Sequence, residues 1–136
     1  MNILIVEDDP VSANLLGASL QVEGHIVLTA RDGVEAFKIV EGSIPVELII
    51  ADAKLPKIDG FTLLSLVKNN LKYQAIHFIM YTSFYTDSSH ETLAYELGAD
   101  EYIRKSGHTL EILGAVKSRM QKAIKEHDFK ISNPDK

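Results

Sequence analysis

The chain contains no cysteine. A disulfide framework, a thiolate metal site and a thiol nucleophile are therefore excluded, and redox chemistry does not fix the compartment. No apolar run approaches the length of a membrane span. The N-terminus, Met1-Asn-Ile-Leu-Ile-Val-Glu-Asp-Asp, has no basic start and meets acidic residues after four apolar ones, so it does not read as a signal peptide. A cytoplasmic location is the expectation. Surplus basic charge is also missing: the net charge is −5, which argues against direct nucleic acid binding by this domain. No glycine-rich loop follows the first apolar run, which disfavours a nucleotide cradle. His25, His77, His90, His108 and His127 show no ligand spacing and are expected at the surface or in loops.

What is present is the substance of one ordinary domain. The 136 residues are 46% hydrophobic and 24% charged, enough to bury a single core. Short apolar runs alternate with amphipathic stretches. Strands are expected at Ile3–Val6, Ile26–Ala30, Val46–Ala51, Ala75–Tyr81 and Glu101–Ile103. Asp9-Pro10 has the chemistry of an N-cap followed by a first helical residue, and Val11, Leu15, Leu16, Leu20 and Val22 recur at helical spacing. Gly24 ends that helix. Asp32 to Glu35 and Ser88 to Glu91 have capping-box spacing, and Asp59-Gly60 starts a third helix with Leu63, Leu64, Val67 and Leu71 on its inner face. A last helix carries Leu110, Leu113, Val116, Met120 and Ile124. The expected domain is 1–127, with 128–136 a polar tail or the start of a linker. Five βα units predict an α/β fold, a five-stranded parallel doubly wound sheet with five helices.

In such sheets ligands bind beyond the carboxyl ends of the strands. Glu7 and Asp8 follow strand one, Asp52 follows strand three, Thr82 strand four and Lys105 strand five. Converging carboxylates repel unless a cation sits among them. Hard oxygen ligands suit Mg²⁺, at roughly 2.1 Å per bond. An acceptor carboxylate, a metal, an ammonium and a hydroxyl are the parts that phosphoryl transfer to an aspartate requires.

Four segments carry a more specific resemblance: Ile3-Leu-Ile-Val-Glu-Asp-Asp-Pro10, Leu48-Ile-Ile-Ala-Asp-Ala-Lys-Leu-Pro-Lys-Ile-Asp-Gly60, Ile79-Met-Tyr-Thr-Ser83 and Gly98-Ala-Asp-Glu-Tyr-Ile-Arg-Lys105. In this order and spacing the chain resembles a response-regulator receiver domain of two-component systems, over roughly residues 1 to 125. The resemblance implies a flavodoxin-like strand order 2-1-3-4-5. It implies Asp52 as phosphoacceptor, with Mg²⁺ served by Glu7, Asp8, Asp52 and the backbone carbonyl of Lys54. It implies that Thr82 and Lys105 bind the phosphoryl group and that Tyr102 is a rotating aromatic switch; alternation along its short edge strand separately suggests that Tyr102 is half exposed. The implied partners are a sensor histidine kinase or histidine phosphotransfer protein, and a downstream effector. On this reading the domain is not an enzyme, though it assists its own phosphorylation and dephosphorylation.

Two departures stand out. Ser106 replaces the proline that usually follows the lysine; a cis bond before a non-proline costs about 3 kcal/mol, so a trans peptide and a different loop path are expected. Lys54 stands two residues after the acceptor, where it could lean over the phosphoryl group and tune its lifetime. Lys54 also stands where a phospho-aspartyl phosphatase would carry a second aspartate as general acid, which disfavours that enzyme. A phosphate-independent pseudo-receiver is the other alternative, disfavoured because every site residue is kept. Phe84, Tyr85 and Tyr95 are either scattered surface aromatics or, with Tyr102, a face for a partner or a second copy.

Overall fold

The computed structural model describes residues 1–83, 87–105 and 109–135. Its elements are β1 (Asn2–Val6), α1 (Pro10–Val22), β2 (Ile26–Ala30), α2 (Gly33–Val40), β3 (Leu48–Ala51), α3 (Gly60–Lys68), β4 (His77–Thr82), α4 (Ser88–Glu96), β5 (Glu101–Arg104) and α5 (Leu110–Ser132). The strands form one parallel sheet in the order β2-β1-β3-β4-β5. Order reverses after β2, so the carboxyl ends of β1 and β3 lie side by side at the switch point.

Alternation along the strands sends successive side chains to opposite faces. Ile3, Ile5, Leu48, Ile50, Ile79 and Ile103 pack with Leu16 and Leu20 of α1 and with Ile112 and Val116 of α5. Leu4, Val6, Ile49, Phe78, Met80 and Tyr102 pack on the other face with residues of α2, α3 and α4. Strands buried on both sides explain why β1 and β3 read as unbroken apolar runs.

Caps define the helix starts. Asp9 accepts from the Val11 amide at 3.3 Å and from the Ser12 hydroxyl at 2.6 Å. Asp32 and Asp59 each accept, at 2.8 Å, from the amide three residues on. The start of α4 differs from the expectation: the cap is Asp87, not Ser88. Its carboxylate accepts from the Ser89 amide, and bonds with the Ser89 hydroxyl, the His90 ring and the His90 amide hold its pKa down to about 2.

Other differences have equally local causes. Leu16 and Leu20 of α1 face inward as expected, but Val11, Leu15 and Val22 are exposed and Ala13 and Gly17 complete the inner face. Leu71 lies beyond α3 and is 87% exposed. There the Lys68 ammonium donates to the carbonyls of Gln74 and Ile76 at 3.2 and 2.7 Å. Those carbonyls are then engaged outside the sheet, and β4 starts at His77 rather than Ala75. β3 is shorter than expected at its start, and α5 runs to Ser132 before Asn133 caps it through Phe129 O. Leu110 and Ile124 of α5 are exposed, against the expected inner stripe. His25 is buried rather than superficial, its Nδ1 paired with the Met1 amine at 3.0 Å.

Gly60 is required by a close approach. A Cβ there would lie 2.2 Å from the Asp52 carbonyl oxygen, and its amide donates to Ala53 O at 2.8 Å. The N-terminus of α3 is thereby pressed against the chain leaving β3. Gly98 (φ +105) closes α4, with Ala99 N donating to Ala94 O at 2.9 Å.

Candidate functional site

The site is assembled by strand endings. The Asp52 amide donates to Val6 O and the Glu7 amide to Ala30 O, both at 3.0 Å, which continues the sheet ladder just past β3 and β1. The Lys105 amide likewise donates to Thr82 O at 3.0 Å. Parallel strands ending in step thus deliver Glu7, Asp52, Thr82 and Lys105 to one crevice.

Their side chains meet there. The Thr82 hydroxyl donates to Asp52 Oδ1 at 2.8 Å, and Lys54 N reaches the same oxygen at 3.3 Å. The Lys105 ammonium donates to Asp52 Oδ2 at 3.1 Å and to Glu7 Oε2 at 2.5 Å, and lies 5.3 Å from the centre of the Tyr81 ring. Asp52 is 4% exposed, Glu7 9% and Thr82 0%. Burial pushes the Glu7 carboxyl above its ordinary value, more strongly than the hydrogen bond from Lys105 pulls it down. Burial pushes Lys105 down, but its hydrogen bonds and charge contacts with Glu7 and Asp52 prevail and hold the ammonium above its ordinary value. A cavity of about 170 Å³ opens beside these groups, walled by Ile5, Leu15, Leu16, Ile50 and Tyr81.

Asp8 and Lys54 are exposed and share the rim of a separate recess with Leu55 and Pro56. Among the described residues, no three acidic or histidine side chains are gathered closely enough to hold a metal. The Lys105 ammonium occupies the space between the two buried carboxylates instead. The donor chemistry nevertheless suits a hard divalent cation. Glu7 and Asp52 share the Lys105 ammonium, Asp8 adds a third carboxylate just past β1, and every candidate donor is oxygen.

Tyr102 departs from expectation. It is 7% exposed, not half exposed, because its side chain points to the face covered by α4 and packs in the cluster with Ala94 and Ala99. Tyr95, among the aromatics near helix four, has a specific contact: Tyr102 N donates to its hydroxyl at 3.1 Å. No sequence signal links these two residues, since the contact joins a side chain to a backbone group. Phe84, Tyr85, His108 and the peptide between Lys105 and Ser106 lie outside the described residues.

Comparison with known proteins agrees with this geometry. A family model, "Response regulator receiver domain", matches residues 3–117. The alkaline phosphatase synthesis transcriptional regulatory protein PhoP of Bacillus subtilis (strain 168) is 34% identical over 122 residues. That match covers 89% of this chain but 49% of PhoP, so the chain spans about half of that relative's length. The structure of response regulator TrrA from Thermotoga maritima in complex with Mg²⁺ and BeF superposes with a TM-score of 0.74 at 32% identity, covering 86% of this chain and 96% of TrrA. A CheY-like receiver domain protein from Methanospirillum hungatei JF-1 gives a TM-score of 0.82 at 28% identity, covering 92% and 97%. Sheet order, strand-end residues and these matches agree: the chain belongs to the response regulator receiver domain family.

Proposed function

We propose that this domain is a phosphorylation switch, with Asp52 as the phosphoacceptor and a phosphohistidine as donor. A carboxylate oxygen of Asp52 attacks phosphorus, the P–N bond breaks, and the electron pair returns to the imidazole, which takes up a proton. Asp52 becomes an acyl phosphate. Lys105 and Thr82, already on the two Asp52 oxygens, are placed to follow charge onto the phosphoryl oxygens. Bound Mg²⁺ would supply further charge neutralisation, held by Asp8, Asp52 and the Lys54 carbonyl. The observation that carries this reading is the convergence of a buried carboxylate, hydroxyl and ammonium at 2.8 and 3.1 Å.

The donor has to bring its imidazole to Asp52. Exposed Leu15 on α1 lines the same cavity as Asp52, and with exposed Val11 four residues before it offers the donor an apolar landing surface. Readout runs through Thr82 and Tyr102 to the face of α4, β5 and α5. Thr82 already reaches Asp52 and the Tyr102 ring is already buried, so phosphorylation deepens a population that the unmodified chain samples. The switch is assigned to residues 1–127, and α5 continues past them to Ser132.

Acetyl phosphate with Mg²⁺, followed by intact mass, tests the assignment. A gain of one phosphoryl group that vanishes in Asp52→Asn supports it. An unmodified wild-type protein would leave a phosphate-independent binding module as the better reading.

A further inference from the structure

β5 is an edge strand, paired with β4 on one side only. The Lys105 amide points toward β4, where it meets Thr82 O. The amide of Tyr102 points the other way, to the open edge, and its partner is the hydroxyl of Tyr95 on α4 at 3.1 Å. An edge amide would ordinarily be left to water. Here a side chain crosses from the helix to the strand.

That contact bears on a weakly anchored element. Ala94 is the buried residue of α4, whereas α1 and α3 each bury four residues. Leu93 is 40% exposed and Tyr95 itself 49%. With so little apolar burial, one hydrogen bond is a sizeable part of what places α4 against β5. The same strand carries the Tyr102 ring inward and is followed directly by Lys105, and its register sets Thr82 opposite Arg104. What fixes the edge of β5 therefore also bears on the approach of Lys105, which follows it, and on the strand paired against Thr82.

Resting on the phosphoacceptor reading above, we propose that Tyr95 is a positioning residue: its hydroxyl latches the Tyr102 amide and holds β5, with its inward Tyr102 ring, in the arrangement that binds a phosphoryl group. Tyr95→Phe keeps the ring and removes only the acceptor, and at a half-exposed position the fold survives it. The probe is beryllofluoride with Mg²⁺, a tetrahedral stand-in for the phosphoryl group. Its apparent Kd and the hydrogen exchange of the Tyr102 amide are measured by NMR in both proteins. The variant is expected to exchange that amide faster and to bind beryllofluoride about fivefold more weakly, the worth of one hydrogen bond of ~1 kcal/mol. Faster exchange with an unchanged Kd would mean a purely structural contact and would overturn the proposal, as would unchanged exchange. If wild type itself fails to bind beryllofluoride, the phosphoacceptor reading falls and takes the latch's functional role with it. A tight wild type and an equally tight Tyr95→Phe sink the latch alone.

Discussion

Replacing Lys105 by methionine isolates the electrostatics of the site. The side chain keeps its length and loses its charge, leaving Glu7 and Asp52 facing one another at 9% and 4% exposure. The contacts they share with the ammonium put their nearest oxygens within about 6 Å of each other, a repulsion of about 3 kcal/mol at an effective dielectric near 20. Lys105 is 22% exposed, so water screens part of this, and a loss of about 1–3 kcal/mol at neutral pH is expected. The pH dependence is the sharper signature. Burial already holds the folded Glu7 pKa above the ordinary carboxylate value of 4.5, and losing Lys105 raises it further. A raised folded value means that the associated stability is fully present below the unfolded pKa and is lost as pH rises through the folded one. The variant's deficit should therefore be small near pH 4.5 and grow toward neutrality, where Mg²⁺ should restore more stability to it than to wild type. Urea unfolding at several pH values, with and without Mg²⁺, reads both effects. A deficit independent of pH would refute the idea that Lys105 balances two buried carboxylates.

Thr82→Val removes a buried 2.8 Å hydrogen bond to a carboxylate; beryllofluoride affinity should fall about tenfold, as expected for a charged hydrogen bond of about 1.5 kcal/mol, and an unchanged affinity would remove Thr82 from the site. His25 has a pKa below the ordinary imidazole value of 6.5, from burial first and the Met1 amine second, so its stabilising effect is present above 6.5 and is lost as pH falls below that. Thermal melts of His25→Leu should lack this acid-side decline, and parallel profiles for the two proteins would count against it. Lys54→Ala should alter the lifetime of the acyl phosphate several-fold, measured as loss of phosphoryl mass with time; equal decay rates would leave Lys54 a surface lysine.

Periodicity carried the architecture because burial imposes it locally. Strands covered on both faces must be apolar throughout, and Asp9, Asp32 and Asp59 announce helix starts through bonds that span three residues or fewer. The order of Glu7, Asp8, Asp52, Thr82 and Lys105 along the chain likewise implied one edge of one sheet, since parallel strands share their carboxyl ends. Long-range contacts decided the rest. Spacing on α1 cannot tell which apolar stripe meets the sheet, so Leu15 and Val22 looked like core until the packing turned Ala13 and Gly17 inward. Strand alternation cannot say what covers a face, and α4 rather than solvent lies over Tyr102. The Lys105 ammonium between Glu7 and Asp52, the Tyr95 hydroxyl on the Tyr102 amide and the burial of His25 beside Met1 each join atoms from separate elements. Such contacts leave no trace in residue spacing, because the distances that define them exist only after the chain has closed.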